Sequence, residues 1–237
     1  MMKRRSTHVW VAILAMAVLV TLVAPTVTTL AKQGHKSNPG VLPPQCKDIY
    51  GELAAEWWVW AFNCPPPPLN PIFDEDGSAA HVNQSGPIWF LAGTFAGEVE
   101  RTCTVPAGKS LYIPLLNHMS FGTEPGDTPG KVRKTVTDGM KSDTELWCFI
   151  NGEPLYNLFD YGAVSNAFDF PCTEGSLLNV AFGYPVGTYS PAVAGAYAVL
   201  LEPLPPGDYV IEFGGADESG WSVSVTYYLT VEGEDDD

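Results

Sequence analysis

Basic side chains are scarce in this sequence. The 237-residue chain has 12 Lys and Arg against 27 Asp and Glu, which gives a formal net charge of −15. Nucleic acids and anionic membrane surfaces are bound through clusters of positive charge that neutralise phosphate groups. We therefore expect no nucleic acid partner. We also expect no stable membrane insertion of the folded part, because no segment beyond the N-terminal region is apolar for long enough to span a bilayer.

Signatures of familiar catalytic sites are also missing. The sequence has no phosphate-cradling glycine loop, no Gly-x-Ser-x-Gly elbow and no dinucleotide-binding fingerprint. It has four histidines, and no two cysteines lie at the close spacing of zinc ligands. His81 and His118 could bind copper or zinc together with a carboxylate, or could be ordinary surface or hydrogen-bonded histidines.

One long apolar run is present, and it lies at the N terminus. Basic residues at 3–5 precede an apolar stretch over 9–23, and small residues follow at 29–31. This pattern predicts a signal peptide over 1–31 and a secreted or extracytoplasmic protein, although a stretch of roughly 20 apolar residues could also be kept as a membrane anchor. Prolines predict a flexible tether over 32–49, and the last residues, 232–237, form an acidic tail that we expect to be disordered.

Alternating apolar and polar residues fill most of the remaining chain. The clearest examples are 98–105 and 221–231, and 88–95 is almost continuously apolar, as a strand covered on both faces would be. Pro and Gly at 106–108 and 205–207 mark reversals between strands. We predict a mainly β fold, an antiparallel β-sandwich of the jelly-roll type, as a single domain over 50–231.

Two helices interrupt this β pattern. Apolar residues from Tyr50 to Ala61 recur at helical spacing and include several tryptophans, and a second, short helix is predicted near 129–141. Trp60 lies off the apolar stripe of the first helix. It is our candidate for contact with a planar ligand such as a sugar ring, whereas Trp58 lies on the stripe and is expected in the core.

Two sets of carboxylates are candidate sites. Asp74 and Asp76 precede Gly77, which resembles a shortened calcium loop or a simple solvated turn. We predict no cofactor, with calcium at this loop as the alternative. Glu98 and Glu100 project from one face of a predicted strand at about 7 Å, a separation compatible with glycosidic hydrolysis. Glu56, Asp160 and Asp169 are further carboxylates without a better-defined partner.

Five cysteines in a protein that we expect to be exported indicate up to two disulfides and one odd thiol. Cys148 and Cys172 fall on two predicted strands. We predict a disulfide between these two.

Three segments carry a resemblance to a known family. They are GPIWFLAGTF at 86–95, CTVPAGKSLYIPLLN at 103–117 and YAVLLEPLPPGDYVIEFGG at 197–215. Together they resemble a family of secreted bacterial proteins without an assigned activity. The resemblance covers most of the predicted domain and implies its export and fold, but it assigns no catalytic or binding residue.

These observations favour a binding or structural module over an enzyme. We expect an exported β-sandwich that contacts a glycan, another polymer or a cell-surface partner, because aromatic residues are plentiful and catalytic motifs are missing. The alternative is an extracellular hydrolase that uses a carboxylate pair.

Overall fold

The computed structural model describes residues 37–233, and every structural statement below concerns this range. The predicted signal peptide, most of the charged tail and the start of the predicted tether lie outside it. The described chain is rich in strands, with these bounds: α1 (Lys47–Asn63), β1 (Ile88–Phe90), β2 (Gly97–Val105), β3 (Ser110–Phe121), α2 (Pro129–Ser142), β4 (Asp143–Ile150), β5 (Glu153–Pro154), a 3-10 helix (Leu158–Tyr161), β6 (Gly162–Val164), β7 (Phe168–Cys172), α3 (Leu177–Val180), β8 (Gly187–Leu201), β9 (Gly207–Asp217) and β10 (Ser222–Val231).

The strands form two five-stranded sheets, so the predicted mainly β class is confirmed. The first sheet has the order β1-β3-β8-β6, with β7 also paired to β8, and the second has the order β2-β10-β9-β4-β5. Both sheets are mixed, because β1 runs parallel to β3 and β2 runs parallel to β10. The prediction of a purely antiparallel arrangement is therefore wrong.

The turn after β2 explains this difference. Gly108 has a φ of 76°, as a tight turn requires, but β2 and β3 do not pair with each other. The turn carries the chain from the second sheet to the first, and β2 pairs instead with the C-terminal strand β10. Alternation and turn residues fix where a strand reverses, whereas the partner across the sheet depends on contacts far along the chain.

The first sheet is covered on both faces. One face packs against the second sheet and shares a hydrophobic core with it, which includes Leu111, Ile113 and Val199 from the first sheet and Phe213 and Val225 from the second. The opposite face packs against α1, where Tyr112 and a row of alanines from β8 contact the helix. Helix α2 adds a small cluster with β8 through Val132, Val136, Met140 and Val193.

The segment 88–95 is shorter as a strand than we predicted, and it lies at a sheet edge rather than at the centre. Only Ile88–Phe90 pairs with β3, and the chain continues as buried irregular backbone. Side chains satisfy its polar groups there. Trp57 donates to the Leu91 carbonyl at 2.8 Å, and Arg101 donates to the Ala92 carbonyl at 2.7 Å.

The chain already packs against the domain before residue 50. The Asn38 side chain accepts from the Tyr156 amide at 2.8 Å and donates to the Tyr156 carbonyl at 2.8 Å. Val41 forms an isolated bridge with Leu201, and α1 begins at Lys47. Residues 38–49 therefore belong to the folded unit, where the sequence predicts a tether.

Candidate functional site

A groove of about 720 Å³ runs beside α1. We call it the α1 groove, and three segments of the chain form it. Its lining consists of Glu52, Ala55, Glu56, Val59, Trp60 and Asn63 from α1, then Asn83, Ser85, Gly86, Pro87, Ile88 and Phe90, and finally Ser165, Asn166, Ala167 and Phe168.

Helix α1 presents different side chains to the sheet and to the groove. Nine of its 17 residues are buried, and most of these are alanines and large aromatic residues that pack towards the first sheet. Glu52 and Glu56 are exposed and lie one turn apart, so they share a single face. The helix ends at Asn63, where Cys64 adopts an extended conformation and four prolines follow that cannot continue a helix.

Trp60 forms part of the groove floor rather than an exposed platform. Only 7% of its surface is accessible, its ring lies 5.6 Å from that of Phe90, and its indole N–H donates to the Val82 carbonyl at 2.9 Å. Trp58, which we expected in the core, is only half-buried. The predicted difference in burial between the two tryptophans is thus reversed, but Trp60 still lines a cavity.

The two acidic residues in the lining raise the negative charge of the groove. Burial, and then the nearby charge of Glu52, raise the pKa of Glu56 above its ordinary value. The lining contains no lysine, arginine or histidine. Negative charge in the groove is therefore not neutralised by any side chain that lines it.

One lip of the groove is held by Gln84. Its side-chain amide donates to the Phe90 carbonyl at 2.8 Å and to the Ala80 carbonyl at 3.0 Å, and its oxygen accepts from the Phe90 amide at 3.1 Å. These bonds join the loop before β1 to the first residues of the sheet. The exposed Ser85 lies on this lip, next to Gln84.

The other lip is held by Ser165. Its hydroxyl accepts from the Ala194 amide at 2.9 Å, and its own amide donates to the Ala194 carbonyl at 2.8 Å. Arg133 of α2 donates to the Ser165 carbonyl at 2.6 Å. Gly51 of α1 also lies against this lip, since a Cβ there would be 3.0 Å from the Val164 carbonyl oxygen. Both lips are therefore attached to regular secondary structure.

The predicted calcium loop is a turn closed by backbone hydrogen bonds. One carboxylate oxygen of the buried Asp74 accepts from the Gly77 amide at 3.1 Å, and the other accepts from the Ala79 amide at 2.9 Å. Asp76 accepts from the Ser78 amide at 2.9 Å. Between residues 37 and 233, no group of three or more His, Cys, Asp or Glu side chains is placed to hold a metal ion.

Arg101 is the buried polar residue that the sequence analysis missed. It is 1% exposed, and its guanidinium donates to the carbonyls of Ile72, Asp74, Ala92 and Gly93 and to the Tyr227 hydroxyl, at 2.7 to 3.2 Å. The signal was available, because Arg101 lies on the apolar face of an alternating strand. Its contacts stabilise two irregular segments near α1.

The two histidines occupy different environments. His81 is exposed in the loop after Asp76. His118 lies on β3, and its Nε2 is 2.8 Å from a carboxylate oxygen of Asp143, whose side chain is almost fully buried. The pair His118–Asp143 joins β3 to the start of β4 and involves no other metal-ligating side chain among the described residues.

The predicted carboxylate pair lies on an open surface. Glu98 and Glu100 are both exposed on β2, at the edge of the second sheet, and the Tyr228 hydroxyl donates to Glu100 at 3.5 Å. They line neither the α1 groove nor the smaller cavity described below.

All five cysteines are free thiols. Cys148 lies in the core between the sheets, whereas Cys172 lies in the cluster beneath α1, on the opposite face of the first sheet. The structure therefore does not form the predicted disulfide, because a sheet separates the two side chains. Burial raises the pKa of Cys64, Cys103 and Cys148 to about 12, which makes these thiols poor nucleophiles.

A much smaller cavity, of about 80 Å³, lies between Trp58, Asn117 and Trp221. The Trp58 indole nitrogen and the Asn117 side-chain oxygen are buried there, and neither has a protein partner within residues 37–233. Buried polar atoms of this kind are commonly satisfied by ordered water, for which such a cavity has room.

Comparison with family models, with curated proteins and with solved structures returned no match for this chain. None of the helices in the described range is long and apolar enough to cross a bilayer. The candidate site is therefore defined by its own geometry, and the α1 groove is the feature that the geometry defines best.

Proposed function

We propose that this protein is an extracytoplasmic binding module, in which a β-sandwich scaffold holds a segment of a glycan or similar surface polymer in the α1 groove. The observation that carries the proposal is an open groove with an apolar floor and polar lips, both of which are attached to regular secondary structure.

The chemistry of the lining is compatible with a sugar chain. Sugar rings have apolar faces that pack on aromatic side chains and hydroxyl edges that need polar partners. Phe90 and Phe168 supply apolar surface, and the exposed Ser85 and Asn166 supply hydroxyl and amide groups at the lips.

A hydrolase is the second candidate, because the groove contains a carboxyl group with a raised pKa, Glu56, beside Glu52. Glycosidases need two carboxylates that flank the bond to be broken. Glu52 and Glu56 project from one helix and thus from one wall of the groove. Glu98 and Glu100 lie outside it, so the arrangement favours binding over hydrolysis.

A bulky side chain placed in the groove tests the proposal. Ala167 is exposed and lines the groove, whereas Ala96 is exposed and does not. We expect Ala167→Trp to weaken binding on a glycan array by about tenfold or more through steric exclusion, while Ala96→Trp binds as the unchanged protein does. Both variants should keep the same melting temperature.

Two outcomes would contradict the proposal. One is that no glycan or surface polymer is bound at all. The other is that a bound glycan is held equally well by Ala167→Trp, which would place the site elsewhere. Release of reducing sugar that is lost in Glu56→Gln would instead favour the hydrolase.

A further inference from the structure

We infer that the α1 groove selects ligands that carry positively charged amino groups, so that a sugar polymer with free amines is preferred over its neutral or N-acetylated form. This inference rests on the proposed function, and it specifies the ligand class of the same site.

The first observation is an acidic pair without a counterion. Glu52 and Glu56 lie one helical turn apart in the lining, and neither forms an ion pair or a hydrogen bond to a side chain among residues 37–233. Like charges at this spacing destabilise a helix. The pair therefore costs stability in the free protein, and a cation in the groove would remove that cost.

The second observation is the contrast with the buried carboxylates elsewhere. Asp74 accepts three backbone N–H groups, and Asp143 lies against His118. Both have protein partners, whereas the groove pair does not. The negative charge of the groove is thus left to solvent and to any molecule that enters the groove.

The third observation concerns the surroundings of the charge. The apolar floor formed by Trp60 and Phe90 limits access of water on one side of the groove. Charge attraction is stronger where water is partly excluded than in open solvent. No basic side chain belongs to the lining, and the one guanidinium that contacts it, that of Arg133, is engaged by the Ser165 carbonyl at 2.6 Å. An incoming ammonium group therefore meets the two carboxylates without a cationic side chain in the groove itself.

An organic cation fits this site better than a metal ion. A hard cation such as calcium takes six to eight oxygen ligands at short distance. The groove offers two carboxylates on one wall, and no cluster of three ligating side chains is present in the described part of the chain. An ammonium group needs only one or two acceptors, and the rest of the sugar can occupy the apolar floor.

Three oligosaccharides of equal length and linkage test the inference. They are oligomers of glucosamine, of N-acetylglucosamine and of glucose, titrated into the purified protein by calorimetry at a pH at which the free amines are protonated. We expect the glucosamine oligomer to bind about tenfold more tightly than the other two, and added salt to reduce the difference.

Charge-removing variants locate the effect. Glu52→Gln and Glu56→Gln should each lower the preference for the free amine to about threefold or less. Glu212→Gln, which removes an exposed carboxylate on β9 outside the groove, should leave it unchanged. Circular dichroism checks that all three variants are folded.

The outcomes separate the two proposals. Equal binding of all three oligomers, abolished by Ala167→Trp, would overturn the charge preference and leave the binding function standing. A preference for the free amine that survives both groove substitutions would overturn the inference, since the charge would then be recognised elsewhere. Failure of every oligomer to bind would overturn the inference alone, because the glycan proposal fails only if no glycan or surface polymer is bound.

Discussion

The two faces of the first sheet are built from different side chains. Towards the second sheet, β8 contributes Val199 and Leu201, and the core there is mainly aliphatic, with a few aromatic rings such as Phe213 and Tyr227. Towards α1, β8 contributes alanines at 192, 194, 196 and 198, and the helix fills the space above them with large aromatic rings. Small residues on one side and large ones on the other allow two elements to approach closely.

This difference explains where a groove can form. The aliphatic core is closed on both sides by sheets, so it leaves no access for a ligand. On the α1 face, α1 and the short helix α3 cover the sheet, and the edge of α1, together with two loops, leaves an open channel. The strand layers thus provide rigidity, and the helical layer provides the accessible surface.

We expect the largest loss of stability when Arg101 is replaced. This buried cation links the core between the sheets to the α1 face. Replacing Arg101 with Met removes the donors for four backbone carbonyls in the segments 72–74 and 92–93. We expect a loss of about 5 kcal/mol in the free energy of unfolding, measured by urea denaturation.

Arg101→Lys is the matched control, because it keeps the charge but cannot reach all of these carbonyls with its single ammonium group. We expect a substantial loss in this variant too. A lysine variant as stable as the unchanged protein would mean that charge, rather than hydrogen-bond geometry, is the essential property.

An intermediate effect should distinguish two neighbouring tryptophans on the α1 face. Trp60→Ala removes a buried ring and should lower the free energy of unfolding by about 3 to 5 kcal/mol. Trp58→Ala removes a half-buried ring and should lower it by less. Thermal unfolding of both variants, followed by circular dichroism, measures the difference. If Trp58→Ala lost more stability than Trp60→Ala, Trp58 would be the better-packed residue, as the helical stripe alone predicts.

The smallest effect should be a pH-dependent gain in the melting temperature of Glu56→Gln. The pKa of Glu56 is raised in the folded chain, mainly by burial, so ionisation of this group costs stability that is absent at low pH and complete above the raised pKa. Glu56→Gln should therefore raise the melting temperature slightly at pH 7, but not at about pH 3, where the carboxyl is protonated in both states.

Exposure to solvent keeps this gain small, and Glu212→Gln serves as the comparison because Glu212 is exposed on β9 outside the groove. A gain of the same size at both pH values would show that charge is not its cause.

Local patterns predicted the elements well. The second helix begins at Pro129, within the range predicted near 129–141, and the Thr128 hydroxyl before it accepts from the Lys131 amide at 3.4 Å. Asn151 and Gly152 both adopt positive φ angles in the turn between β4 and β5, a conformation that Asn-Gly pairs favour. In each case, a few neighbouring residues determine the structure, so no distant contact is needed.

Long-range pairing and the groove were not predictable in the same way. The parallel pairing of β2 with β10 joins segments more than a hundred residues apart, and no short motif encodes it. The groove combines parts of three distant segments, none of which has a recognisable signature. Trp60 was predicted to contact a ligand because it lies off the apolar stripe of α1. It is in fact buried, and it lines the groove because Phe90 of β1 lies beside it.

The bonds between Ser165 and Ala194 have a further consequence for recognition. They fix one lip to the long strand β8, and Arg133 connects the same lip to α2. Widening the channel would require breaking sheet and helix contacts together. Under the proposed function, a ligand would meet an aperture of preset width, so that selection would follow from the width of the incoming chain and the protein would lose little conformational entropy on binding.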